Sequence, residues 1–92
     1  MAMEFEWDED KARKNLSNHG VSFHEATTIF NDPLYVDFYD PDHSDDEERF
    51  IIIGQSQRRR LLVVSYLERG HKTRLVSARE ATRRERDAYE EG

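Results

Sequence analysis

The sequence has no cysteine, which excludes disulfides and thiolate metal sites and gives no sign of secretion. Its four glycines never gather into a phosphate-cradling loop, and zinc spacings and serine-nucleophile motifs are absent. No apolar run exceeds the four residues Phe50–Ile53, far short of a membrane span, and the first residues carry no apolar signal region. These gaps lead us to expect a cytoplasmic protein with no cofactor and no membrane partner. Repeats and low-complexity linkers are also missing, so residues 1–92 are expected to form one domain. A core that small is marginal on its own, and a partner chain would help to stabilise it.

What is present is charge, unevenly spread. Residues 1–48 hold 3 Lys/Arg and 14 Asp/Glu, whereas residues 49–92 hold 11 Lys/Arg and 6 Asp/Glu; the halves carry −11 and +5 and sum to the net −6. Such asymmetry points to a polyanion surface on one part and an acidic tract on another. Ten of the eleven cations in the second half are Arg, whose planar donor fork suits bidentate contact with phosphate. A merely solvated charged surface is the alternative.

Hydrophobic periodicity predicts an α+β fold. Phe5 and Trp7 alternate with Glu4, Glu6 and Asp8 as in a short strand. Asp8 can cap a helix with Glu9 and Asp10 in its first turn, an apolar face at Ala12 and Leu16, and a stop at Gly20. Ser22-Phe23-His24-Glu25 reads as a capping box opening a second helix, with Phe23, Ala26, Thr27 and Phe30 on one face and Asn31-Asp32-Pro33 ending it. Trp7, Phe23 and Phe30 are assigned to the core. Leu34–Tyr39 reads as a strand, and Asp40–Glu48 as an acidic loop. Arg49–Gln55, Arg60–Glu68 and Lys72–Ser77 read as three further strands joined by a polar turn at Ser56–Arg59 and a tight turn at Gly70. The expected sheet is an antiparallel meander of about four to five strands. Helices lie on one face, and a partner covers part of the other.

The last segment, helical from about Thr82, carries a second capping box, Thr82-x-x-Glu85. Arg83 and Arg84 in its first turn and Glu90 and Glu91 in its last oppose the helix dipole. A helix start already attracts anions, so Arg79, Arg83 and Arg84 beside it make a candidate anion site. Ordinary Arg83–Asp87 and Arg86–Glu90 surface pairs are the alternative. Asp40, Asp42, His43 and Asp45 cluster in one loop and could offer oxygen to a hard cation, but the spacing lacks the glycine and terminal glutamate of a calcium site, so no metal is expected.

Phe5-Glu6-Trp7-Asp8 with Lys11 and Asn15, then His19-Gly20-Val21-Ser22-Phe23 with Ala26, resembles the start of the BrnT family of type II toxins. The end resembles it more specifically: Arg74-Leu75-Val76-Ser77-Ala78-Arg79, then Ala81-Thr82, Glu85-Arg86 and Tyr89. Between them Glu48-Arg49, Gly54 and Leu62-Val63-Val64-Ser65-Tyr66 ending at Arg69 fit in order, while the acidic loop lies outside the motif. The resemblance implies a RelE-like fold, with the sheet packed by two N-terminal helices and one C-terminal helix. It implies a ribonuclease toxin neutralised by a BrnA-like antitoxin, with contact to DNA only indirectly, through that partner.

Metal-independent RNA cleavage uses the 2′-hydroxyl as nucleophile, so the protein must move protons and neutralise the crowded phosphate. Arg79 suits the second task, since it sits between the last strand and the last helix. Arg49 and Arg69 lie at strand ends where they could converge with it, and Arg74, Arg83 and Arg84 would hold RNA. The acid and base stay open among Glu85, His19 with its favourable intrinsic pKa, and Tyr89, also a candidate RNA contact. Each has a duller reading: Glu85 closing its capping box, His19 meeting a helix dipole, Tyr89 packing in the core, and Arg49 pairing with the acidic tract. The antitoxin is expected to cover the basic second half. A module that binds nucleic acid or protein without chemistry is the alternative function, including one whose acidic loop is the working surface.

Overall fold

The computed structural model describes residues 3–44 and 47–92. In order, it contains β1 (Glu4–Glu6), α1 (Glu9–His19), α2 (Phe23–Thr28), β2 (Val36–Asp40), β3 (Arg49–Gln55), β4 (Leu61–Arg69), β5 (Lys72–Glu80) and α3 (Arg83–Glu91), with single 3-10 turns at Ile29–Asn31 and Pro41–His43.

Local chemistry sets the helix ends. Asp8 caps α1 by accepting from the N–H groups of Asp10 and Lys11 at 2.8 and 3.3 Å, and Gly20 ends the helix in the left-handed conformation with φ +68°. Leu16, expected on the apolar face, is 52% exposed. The buried member of that helix is Asn15, whose Nδ2 donates to the carbonyls of Val21 and Ala78 at 2.9 and 2.8 Å while its Oδ1 accepts from Ala78 N–H at 3.0 Å. One amide side chain thus pins α1 to β5. Ser22 caps α2 as expected, but Glu25 does not return to close the box. Its carboxylate is buried, and it instead takes Arg60 Nε at 3.0 Å and Ser56 Oγ at 2.7 Å. Arg60 also donates to the Gly20 carbonyl at 3.0 Å, so the network ties both helices to the β3–β4 turn.

The five strands lie in the order β1-β5-β4-β3-β2. β2 to β5 form the expected antiparallel meander, while β1 pairs parallel to β5, which makes the sheet mixed rather than wholly antiparallel. No tight hairpin constrains β1's direction; Phe5 is placed by its edge contact with Phe30 at 5.1 Å. The first sheet face carries Ile52, Leu62, Val64, Tyr66, Leu75 and Ala78 and is packed by Val21, Phe23, Ala26 and Ile29 from the α1–α2 side. The second face carries Ile53, Leu61 and Val63, with Tyr89 of α3 and Ala81 against them. Helices therefore pack on both faces, and α3 supplies part of the cover that the sequence left to a partner.

One irregularity decides which side chains share a face. Ser65 pairs with Ser77 but Tyr66 pairs with Leu75, so Val76 is an extra residue opposite no partner, a β-bulge. In a regular strand Arg74 and Arg79, five positions apart, would point to opposite faces. The bulge changes the parity, and Arg74, Ser77 and Arg79 all belong to the second face.

Candidate functional site

Strand register lays the second face out in rows. The outermost complete row runs Arg49, Leu67, Arg74, Glu6 across β3, β4, β5 and β1. Beyond it lie Arg69, Lys72 and Glu4. Inward comes a row of Ile51, Ser65 and Ser77, then Ile53, Val63 and Arg79, against which α3 begins. Leu67 and Val63 are four residues apart, so the arginine row and Arg79 are separated by about 13 Å. Between them the two serines form a floor of short polar side chains, which the sequence reading assigned no role. Arg49, Arg69 and Arg74 thus share one face with Arg79 but stand well apart from it along the strands.

Each arginine pairing has its own geometry. Arg79 grips Glu85 with two parallel bonds of 2.7 and 2.8 Å. Glu85 also accepts from the Thr82 N–H at 2.9 Å, and Thr82 Oγ1 accepts from Glu85 N–H, which closes the expected capping box. The Arg79 guanidinium, aided by the Thr82 N–H, holds the Glu85 carboxyl at a pKa of about 2 despite opposing burial. That value and those filled acceptor sites make Glu85 a weak proton acceptor and a firm clamp. The start of α3, expected to await an external anion, is filled by its own carboxylate.

Arg69 makes a second bidentate pair, with Glu47 at 2.8 and 3.0 Å. Arg69, followed by the more distant Arg74 and Arg49, holds the Glu47 carboxyl below the usual range. The end of the acidic loop therefore reaches into the arginine end of this face. Arg74 donates to Glu6 at 3.0 Å. Arg49 Nε is buried with no hydrogen-bond partner among the described residues, and its cross-strand neighbour Asp40 is engaged by His43 Nδ1 at 2.9 Å.

Other candidates are placed elsewhere. His19 ends α1, on the first-face side, where α1 packs on β5 through Asn15; the sheet lies between it and the arginine face. Tyr89 packs against Ile53 and Leu61 and donates to Asp32 at 2.6 Å; that carboxylate pushes its hydroxyl up to about 12. Arg83 and Arg84 are exposed at the start of α3, and neither Arg83–Asp87 nor Arg86–Glu90 closes as an ion pair. Of the cation-loop residues, Asp45 lies outside the described residues, and no cluster of three or more His, Asp or Glu among those described is arranged to hold a metal. His71, absent from the sequence candidates, sits in the turn between Arg69 and Lys72 and meets Glu4 at 3.2 Å. No helix among the described residues is long and apolar enough to cross a membrane.

Four guanidinium groups on one sheet face, spaced along a polar floor, can hold an extended polyanion through more than one phosphate. A family model described as "Ribonuclease toxin, BrnT, of type II toxin-antitoxin system" matches residues 7–85. The fold is similar to the 1.1 Å crystal structure of the Brucella abortus ribonuclease toxin BrnT, with TM-score 0.65 and 22% identity over 89% of this chain and 100% of that one. No curated protein sequence matches.

Proposed function

Because the chain belongs to the BrnT family of ribonuclease toxins of type II toxin–antitoxin systems, we propose that it cleaves RNA on the second face of its sheet, without metal, and is held inactive by a BrnA-like antitoxin. Arg49, Arg69 and Arg74 hold flanking phosphates, and Arg79 faces the phosphate under attack. In that reaction the substrate's 2′-hydroxyl gives its proton to water and attacks the neighbouring phosphorus, negative charge builds on the non-bridging oxygens, and a 2′,3′-cyclic phosphate forms as the bond to the 5′-oxygen breaks and that oxygen takes a proton from water. The guanidinium N–H groups that Glu85 leaves free, held in a fixed plane by that pair, stabilise the charge without reorganising at the moment of reaction. Glu85 supplies the fixing and acts as a positioning residue. The exposed Arg83 and Arg84 extend the phosphate-binding surface past the start of α3.

The single observation that carries this reading is the bulge at Val76, which brings Arg74 and Arg79 onto the same face as Arg49 and Arg69. The test is induction of the chain in bacteria, alone and with the neighbouring reading frame. Wild type is expected to arrest growth and degrade RNA, and the neighbour to relieve both. Arg79→Ala, which removes the transition-state donor, is expected to lower cleavage by about 100- to 1,000-fold. Persistent arrest in that variant would overturn the assignment. RNA that binds with steep salt dependence but stays intact would make the chain a binding module instead.

A further inference from the structure

β2 closes one side of the sheet, and no strand among the described residues pairs with its outer edge. Such an edge presents a row of unused N–H and C=O groups, and proteins usually guard it with Lys or Pro inside the strand. Here Val36–Asp40 contains neither, and no Lys or Arg occurs anywhere between Lys14 and Arg49. The edge is also greasy: Leu34 is 69% exposed, Tyr35 46%, Phe38 48% and Tyr39 51%. At its head a hollow opens between Pro33, Leu34, Tyr35, Tyr89, Glu90 and Gly92, room for one apolar anchor.

We propose that this edge is where the antitoxin docks, adding an extended segment of alternating apolar and basic residues as a sixth strand beside β2. The inference rests on the toxin–antitoxin reading and names the surface and the chemistry of its partner. Main-chain bonds would supply affinity and alternate side chains specificity. Charge selects this occupant over others. Asp37, Asp42 and Glu48 follow one another along the edge and the loop after it, and Glu90 lines the hollow. RNA phosphates are repelled by that tract, and a second copy of the chain would set the same acids against themselves. A basic strand is attracted on both counts. The register also explains inhibition: Asp40 at the end of β2 is paired with Arg49, so a partner continuing past it lies one strand from the arginine row.

The test uses the full chain, the protein encoded by the neighbouring frame, and the variant Leu34→Lys/Tyr39→Lys, whose two sites are both more than half exposed. Titration calorimetry is expected to show at least about hundredfold weaker partner binding, growth arrest without the partner is expected to persist, and rescue by the partner to fail. Hydrogen exchange at the amides of residues 36–40 should slow when the partner binds wild type. L34E/Y39E removes similar apolar area with the opposite charge, and it should bind at least about tenfold tighter than the lysine pair. Full affinity in L34K/Y39K with unchanged exchange would overturn the proposal. So would loss of RNA binding with partner affinity intact, a wild-type dimer that L34K/Y39K dissociates, or equal weakening by the Lys and Glu pairs. If wild type causes no arrest, the toxin reading fails, while titration and exchange still report on the edge.

Discussion

Glu85→Gln separates a clamp from a general base, because the two roles predict different pH behaviour. The side chain keeps its shape and loses its charge. Folding lowers the Glu85 pKa from 4.5 to about 2, and at about 1.4 kcal/mol per tenfold change in ionisation this corresponds to a ceiling near 3 kcal/mol. The Arg79 side chain is 42% exposed, so solvent screening brings the expected contribution to about 1–2 kcal/mol. A depressed carboxyl pKa stabilises the fold when the pH is above the unfolded value and loses that effect as pH falls through the folded value. Urea unfolding should therefore show E85Q less stable than wild type by about 1–2 kcal/mol at pH 7, with the gap narrowing below about pH 4.5 and closing near pH 2. Cleavage should fall at all pH values alike, since Arg79 is left without its anchor. A stability gap absent at pH 7, or constant down to pH 2, would refute the clamp. Loss of cleavage that traces a carboxyl titration in the wild-type rate profile would restore Glu85 as a base.

Two further outcomes follow from named contacts. Asn15→Ala leaves the Ala78 N–H and the Val21 and Ala78 carbonyls without their bonds inside the α1–β5 seam, and should cost about 2–4 kcal/mol in urea unfolding; a loss under about 1 kcal/mol would mean that water replaces the amide. Glu47→Gln removes the carboxylate that occupies Arg69 and sits in the field of Arg74 and Arg49, so a short RNA should bind a few-fold tighter at low salt. Unchanged or weaker binding in a fluorescence titration would show that RNA does not use that end of the face.

The parts of the fold that were legible are those set by nearest neighbours. Asp8 and Gly20 mark α1, Thr82 with Glu85 marks α3, and the apolar runs at Phe50–Ile53 and Leu61–Val64 mark β3 and β4, the strands buried on both faces. What escaped depended on distant partners. Ser22 and Glu25 have capping-box spacing, yet the buried Glu25 carboxylate turns to Arg60, thirty-five residues away, rather than to the local N–H. Asn15 resembles any polar helix residue until Ala78 is placed opposite it. The bulge at Val76 has no glycine to announce it, and simple alternation along Lys72–Ser77 gives the wrong face for everything beyond it. The arginines were therefore readable as candidates from type and position, but their shared face was not.

A net charge of −6 and an RNA-cutting role agree once the pairs are ranked by exposure. On the second face each of three arginines keeps a carboxylate: Arg69 with Glu47, Arg74 with Glu6 and Arg79 with Glu85. Four unpaired guanidinium groups on one small sheet would repel one another, and these acids relieve that repulsion while no RNA is bound. Exposed ion pairs are worth about 0–1 kcal/mol, so a phosphate can displace such a carboxylate at little cost. Glu47, whose side chain is 44% exposed, is the most easily exchanged, and Glu6 at 28% follows. Glu85 shares its bonds between Arg79 and the Thr82 N–H, and losing it would uncap α3 as well as free the arginine. On the proposed reading, RNA enters at the Glu47 end, where anions trade places, and meets at Arg79 a guanidinium that keeps its carboxylate and hence its orientation.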